Sequence, residues 1–162
     1  MALSPKENSI AVLKHLKKES ELSDPLIVAI MANIAVESGY TFDYKTKQRG
    51  KRTDPAYGLF QFDPRGAGMA KLYQRYLEHR GIEDSMEAQL DLIVDILTRT
   101  WKPGVSYVGS GNVSKVLEAA KEGPAPATEA FCSHILRPGV PHLDRRLAAI
   151  PMVEALMAEV NV

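Results

Sequence analysis

Apolar residues recur at helical spacing along most of the chain. The first predicted helix is identified by the residues typical of a helix N-terminus. Residues 4–7 read Ser-Pro-Lys-Glu, which places a capping Ser before a Pro at the first helical position and a Glu at the third. Ile10, Leu13 and Leu16 then form an apolar face. Asp24 and Pro25 repeat the start signal, so we predict a second helix from this point.

The second predicted helix is strongly apolar and ends in a carboxylate. At about 100° per residue, four residues form one stripe: Leu26, Ile27, Ile30 and Ile34. Glu37 falls close to the middle of that stripe, and Gly39 is placed to end the helix as a left-handed cap. Burial and the negative end of the helix dipole both raise the pKa of such a carboxyl group, which could then act as a general acid. The alternative is that Glu37 ends a core helix and turns out to water.

The remaining pattern predicts a mainly α fold of about seven helices in a single domain, residues 1–162. The predicted central core helix is capped by Ser85, runs from Met86 to Leu97 and towards Trp101, and is broken by Pro103 and Gly104. The other predicted features are a helix at 67–79 stopped by Gly81, a helix from Asn112 to Gly123, a loop at Pro124 and Pro126, a helix at 128–136, and a helix at 143–160 that Pro151 splits or kinks.

Residues 41–56 interrupt the helical pattern with a polar, basic stretch. Its cations surround Gly50: Lys45, Lys47, Arg49, Lys51 and Arg52. We expect a long loop or a small β-hairpin that lines a cleft, where the positive charge would suit an anionic polymer. A solvated loop without a ligand is the alternative.

Composition excludes several classes of protein. The 162 residues include 20 basic and 20 acidic side chains, and this zero net charge argues against bulk binding to nucleic acid. The single cysteine, Cys132, excludes an internal disulfide. Cys132, His134 and His142 make an incomplete metal set at unsuitable spacing, so we expect no metal and no cofactor. No apolar run resembles a signal peptide or approaches a membrane span.

Two motifs resemble the signature of the phage-tail lysozyme family. They are NIAVESGY at residues 33–40 and AYGLFQF at residues 56–62. The family is similar to lytic transglycosylases and goose-type lysozymes within the lysozyme-like superfamily. Weaker similarity continues through Gln89 and Leu90, and from Phe131 through Arg137 to Arg146, so that the resemblance covers most of residues 24–150.

The resemblance implies cleavage of peptidoglycan at the β-1,4 bond between N-acetylmuramic acid and N-acetylglucosamine, with Glu37 as general acid. An inverting hydrolase needs a second carboxylate to activate water. The candidates are Asp43, Asp54 and Asp63, and we favour Asp54 because three residues separate it from Gly58. Asp54-Pro55 is equally typical of a turn start. A lytic transglycosylase needs no second carboxylate, because the 6-hydroxyl of the sugar attacks.

Six further residues are expected to bind substrate: Ser38, Tyr40, Tyr57, Gly58, Gln61 and Tyr107. The tyrosines could stack on sugar rings or belong to the core. Gly58 could let the backbone approach a ligand or supply a turn conformation forbidden to other residues. The Gln61 amide could bind an N-acetyl sugar or tie its loop in place.

The expected partners are peptidoglycan glycan strands and other virion or tail proteins, with no nucleic acid and no membrane. The expected setting is a virion, its tail or injection apparatus, or the host periplasm and cell wall during lysis. A non-catalytic wall-binding or virion module with the same fold is the main rival. A helical nucleic-acid-binding domain that uses residues 45–52 is a third hypothesis. Arg145 and Arg146 are expected to brace the fold by pairing with carboxylates.

Overall fold

The computed structural model describes residues 3–48, 50, 55–65 and 68–160. In these ranges it has nine α-helices and one π-helical segment, so the expected mainly α fold is confirmed with more helices than the seven predicted. The elements are α1 (Pro5–Lys17), α2 (Asp24–Glu37), α3 (Met69–Arg80), α4 (Met86–Leu97), α5 (Lys102–Val108), α6 (Ser110–Glu122), α7 (Pro124–Phe131), the π-helical segment (Cys132–Leu136), α8 (Leu143–Ala148) and α9 (Ile150–Glu159).

The predicted N-terminal caps of α1 and α4 are confirmed by hydrogen bonds between residues three positions apart. The Ser4 hydroxyl accepts a hydrogen bond from the Glu7 amide at 3.1 Å, and the Glu7 carboxylate accepts one from the Ser4 amide at 3.0 Å. The Ser85 hydroxyl caps α4 through the Ala88 amide. Each bond satisfies a backbone N–H that the helix itself leaves without a partner.

The centre of the fold is α2 and not α4, which corrects the prediction. Residues 26–35 of α2 are all buried, and α2 packs against α1, α6, α7, α8 and α9. A helix that is apolar on every side is enclosed by other elements. Glu37 is therefore the point at which the most deeply buried helix reaches the surface.

The prolines were assigned the wrong role at two places. Pro103 is the second residue of α5, and α7 begins at Pro124 and contains Pro126. Proline is tolerated in the first turn of a helix because its missing N–H has no intrahelical acceptor there. At Pro151 the prediction is confirmed, since α8 and α9 are separate helices.

The segment between α2 and α3 is a long loop in the part of the chain that the structure describes. It contains two isolated β-bridges, Lys47 to Tyr57 and Tyr57 to Phe62. Its aromatic residues anchor it to the helices, with the ring of Phe62 5.2 Å from that of Tyr73 and the ring of Phe60 6.2 Å from that of Phe131. The loop is thus held beside the end of α2.

None of the described helices is long and apolar enough to cross a lipid bilayer.

Candidate active site

A cavity of about 710 Å³ lies at the carboxyl end of α2, and we call it the cleft. Four parts of the described chain line it: the end of α2 with its loop up to residue 48, residues within 56–65 and 68–69, Tyr107 of α5, and residues 135–139 at the end of the π-helical segment. Its polar and charged lining residues include Glu37, Ser38, Thr41, Thr46, Lys47, Gln48, Gln61, Asp63, Arg65, Tyr107 and Arg137.

Glu37 is the last residue of α2, and its side chain lines the cleft while only 17% of it is exposed. Burial raises the pKa of the Glu37 carboxyl above its ordinary value, because the charged form loses hydration. The charge and the hydrogen bond of Arg146 act in the opposite direction, but burial is the larger effect. Glu37 therefore holds its proton to higher pH than an exposed glutamate does.

Arg146 lies beneath Glu37 and is 1% exposed. Its guanidinium donates to Glu37 Oε2 at 3.4 Å, to Asn33 Oδ1 at 3.0 Å and to the Pro141 carbonyl at 2.7 Å. The Asn33 amide in turn donates to the carbonyls of Ala29 and Thr128. The Arg146 charge is therefore fixed at one oxygen of Glu37 by contacts from α2, α7 and the chain before α8.

The Cys132 thiol also interacts with Glu37 and Arg146. It is buried, and burial together with the negative charge of Glu37 raises the pKa of its thiol, while Arg146 lowers it. Among the described residues, no three His, Cys, Asp or Glu side chains are grouped in a way that could hold a metal ion.

The three candidates for a second carboxylate differ in position. Asp63 lines the cleft, and Arg65 binds both of its oxygens, with Nη2 2.7 Å from Oδ2 and Nε 3.0 Å from Oδ1. Asp43 is outside the lining and accepts a hydrogen bond from the Lys45 amide at 2.9 Å. Asp54, the favoured candidate, lies outside the described residues.

Gly58 packs against the protein and does not line the cleft. Its φ is +93°, and a Cβ added there would lie 2.6 Å from Gln89 Oε1. That oxygen accepts a hydrogen bond from the Leu59 amide at 2.9 Å. Gly58 therefore supplies both the turn conformation and the space that Gln89 needs.

Gln61 lines the cleft and also ties the loop together. Its Nε2 donates to the carbonyls of Thr46 at 3.1 Å and Gly58 at 2.9 Å. Its Oε1 accepts no hydrogen bond from the residues that the structure describes.

The other predicted binding residues divide into two groups. Tyr107 lines the cleft with the Arg137 guanidinium 5.7 Å from its ring centre, and Ser38 lines it with a hydroxyl that accepts from the Phe42 amide. Tyr40 is 46% exposed and outside the lining. Tyr57 is also outside it, and its hydroxyl donates to Asp84 at 2.8 Å.

A comparison with known protein families shows which family the chain belongs to. The sequence model described as phage tail lysozyme matches residues 7–153 of the 162-residue chain. The chain belongs to the phage tail lysozyme family. A search of the curated proteins and a search of the solved structures each found no match. Membership of this lysozyme family supports a peptidoglycan-cleaving role with peptidoglycan as the substrate.

Two residues that contact Glu37 or its partner Arg146 were not predicted as site residues. Asn33 could have been found, because it is a polar residue in a continuous apolar run and lies one helical turn before Glu37. Arg146 was expected to pair with a carboxylate, which is confirmed, but nothing in the sequence identified Glu37 as its partner. Glu37 and Arg146 are 109 positions apart in the sequence.

Proposed function

We propose that this protein is a muramidase that cleaves the β-1,4 bond between N-acetylmuramic acid and N-acetylglucosamine, with Glu37 as the general acid. We further propose that residues 1–162 act as a single catalytic domain. One observation carries the proposal: a largely buried carboxyl group with a raised pKa ends the central helix and lines the cleft. A carboxyl group of this kind is what protonation of a glycosidic oxygen requires.

The proposed step transfers the Glu37 proton to the glycosidic oxygen as the bond to the sugar's anomeric carbon breaks. A water oxygen forms the new bond to that carbon and releases a proton to the solvent, from which Glu37 is protonated again. The carboxylate left behind is stabilised by the Arg146 guanidinium at Oε2. Since Arg146 binds Oε2, the proton is more favourably held on Oε1, the oxygen farther from the positive charge. Arg146 thus favours the proton on Oε1 before the transfer and stabilises the Glu37 carboxylate after it.

Substrate binding is proposed for the lining residues. The Gln61 Oε1 atom can accept a hydrogen bond from the acetamido N–H of a sugar, and the Tyr107 ring offers a flat apolar face to a sugar ring. Ser38 and Gly58 act indirectly, through the hydrogen bond to Phe42 and the packing on Gln89 that hold the loop in place.

A lytic transglycosylase acting on the same bond is the second candidate, and the state of Asp63 favours it. Glu37 and Asp63 are the two carboxylates that line the cleft within the described residues. Both oxygens of Asp63 are bound by Arg65, which leaves this carboxylate poorly placed to activate a water molecule. A transglycosylase avoids this requirement by using the 6-hydroxyl of the substrate.

The experiment that tests the function compares clearing of purified peptidoglycan by wild type, Glu37→Gln and Glu154→Gln. Glu154 is exposed on α9 and serves as the matched control for the exchange. We expect Glu37→Gln to lose roughly 10²–10⁴-fold in rate, the range typical of a general acid, and Glu154→Gln to keep the wild-type rate. Equal clearing by Glu37→Gln would refute the assignment, and no clearing by wild type on walls from several hosts would favour a binding module.

Mass analysis of the released fragments then separates the two enzymes. Reducing ends identify a hydrolase, whereas anhydro ends identify a transglycosylase that does not need Asp54 or Asp63 as a base.

We also propose a virion or tail location, which the family description supports. Detection of the protein in purified, nuclease-treated phage particles would test that location, and its restriction to the lysate supernatant would contradict it.

A further inference from the structure

Two of the charged residues that line the cleft form no ion pair with any described residue. Glu37 is paired with Arg146, and Asp63 is paired with Arg65. The side chains of Lys47 and Arg137 make no hydrogen bond or ion pair with any residue that the structure describes. Both line the cleft, and both are exposed.

Arg137 is held in position by its backbone and by one aromatic ring. It follows the π-helical segment with φ of +49°, and its amide donates to the Cys132 carbonyl at 2.8 Å. Its guanidinium carbon lies 5.7 Å from the centre of the Tyr107 ring. A guanidinium against a ring keeps its edge N–H groups accessible, and that edge matches the two oxygens of a carboxylate.

Lys47 brings a second cation into the cleft from the loop after α2. Its backbone forms the isolated bridge to Tyr57, and the loop closes through the Gly58 amide, which donates to the Thr46 carbonyl at 2.8 Å. The Lys47 backbone is thus anchored, while the residue as a whole is exposed. With the other charged residues of the described lining paired, Lys47 and Arg137 give this lining an excess of positive charge.

We propose that Lys47 and Arg137 bind carboxylates carried on the muramic acid branch of the glycan, and so favour muramic-acid-containing strands over neutral sugar polymers. This inference rests on the proposed peptidoglycan substrate and adds what the enzyme recognises in it. The sugar backbone of the strand is itself uncharged. The carboxylate comes from the lactyl group when the strand is free of peptide, or from the stem peptide when one is attached.

The test measures binding without cleavage, in the Glu37→Gln background. Calorimetric titration compares three soluble ligands of equal length: an oligomer of N-acetylglucosamine, a peptide-free muramic acid and glucosamine oligomer, and the same oligomer with stem peptides. Lys47→Gln and Arg137→Gln are added singly. Lys45→Gln, in the same loop but outside the lining, and Arg145→Gln, exposed on α8, are the matched controls.

We expect the background protein to bind at least one carboxylate-bearing ligand more tightly than the neutral oligomer. Each cleft variant should weaken that binding by about fivefold, the upper range for an exposed ion pair, and leave the neutral oligomer unaffected. Raising the salt concentration should reduce the preference without any mutation, because exposed charges are screened. A preference for the peptide-free or the peptide-bearing oligomer identifies the lactyl or the stem-peptide carboxylate as the source.

Three results would overturn the inference: equal affinity for the neutral and charged oligomers, an equal loss in the Lys45→Gln and Arg145→Gln controls, or a preference that does not change with salt. The proposed function is tested separately, by measuring whether the protein with Glu37 intact clears peptidoglycan. A protein that binds muramic carboxylates through Lys47 and Arg137 but never clears walls would keep this inference as a property of a binding module.

Discussion

The Arg146 guanidinium lies 3.4 Å from Oε2 of Glu37, and the two side chains are 2% and 17% exposed. Burial favours the protonated form of Glu37, while Arg146 favours the carboxylate. The two effects oppose each other at one residue, which moderates the rise in the pKa of Glu37. An acid with too high a pKa would give up its proton reluctantly, so a neighbouring cation is useful to it.

Replacing Arg146 with Met should move the alkaline limb of the kcat/KM profile to higher pH. Arg146 lowers the pKa of Glu37, so its loss raises that pKa, and the general acid stays protonated further into the alkaline range. We also expect a loss of about 1–3 kcal/mol in the free energy of unfolding, because the buried Asn33 Oδ1 loses the donor that Arg146 supplies. Initial rates across pH and chemical denaturation measure the two effects.

Arg146→Lys is the control for charge. Lysine keeps the positive charge but cannot reproduce the contacts to Glu37, Asn33 and Pro141. The alkaline limb of the kcat/KM profile should therefore shift less in Arg146→Lys than in Arg146→Met. If Arg146→Met folds and keeps the wild-type limb, then Arg146 does not act on the acid.

The stability of Glu37→Gln relative to wild type should increase with pH. A carboxyl group whose pKa is raised in the fold binds more protons folded than unfolded, so the wild type loses stability as the pH rises from about 4.5 through the folded-state pKa. The glutamine side chain of the variant does not titrate, and the remaining groups cancel in the difference. Thermal unfolding at several pH values, with Glu154→Gln as the exchange at an exposed position, measures this. If the stability of Glu37→Gln minus that of wild type stayed constant or fell as the pH rises, the raised pKa would be contradicted.

Gly58→Ala should destabilise the protein by about 2–3 kcal/mol. An alanine at φ of +93° costs about 1–2 kcal/mol, and its Cβ would displace Gln89 Oε1, which is 2.6 Å away, at the cost of about one hydrogen bond. Gln89 cannot move easily, because it also donates to the Tyr44 carbonyl and to Asp84.

Gly81→Ala is the control for the backbone conformation alone. Gly81 has φ of +63°, and nothing lies within 4 Å of an added Cβ, so we expect a cost of about 1 kcal/mol. Denaturant unfolding compares the two variants. Equal losses of stability in the two variants would show that the contact between Gln89 and an added Cβ at position 58 does not add to the cost.

Features that depend on neighbouring residues could be predicted from the sequence. The Ser4 and Ser85 caps, the left-handed glycines at 39 and 81, and the apolar helix ending at Glu37 each involve residues within about one helical turn. The misassigned Pro103 and Pro124 show the limit of this information. A proline is acceptable in a first helical turn and in a loop, and surrounding packing decides between them.

Tertiary structure decided which of the motif residues face the cleft. Tyr40 and Tyr57 belong to the recognised motifs, yet the first is exposed elsewhere and the second is bound to Asp84. Lys47 and Arg137 belong to segments 90 residues apart and line the same cavity. Spacing in the sequence carries no information on such distant pairs.

The sequence by itself determined the mainly α character, the family and the placement of a carboxylate at the end of an apolar helix, because these follow from residue order over short distances. Only the tertiary structure decided that α2 is the centre and that Arg146 lies beneath Glu37. The charge of Arg146 acts on Glu37 because packing removes both side chains from water, and that burial exists only once α2, α7 and α8 have come together.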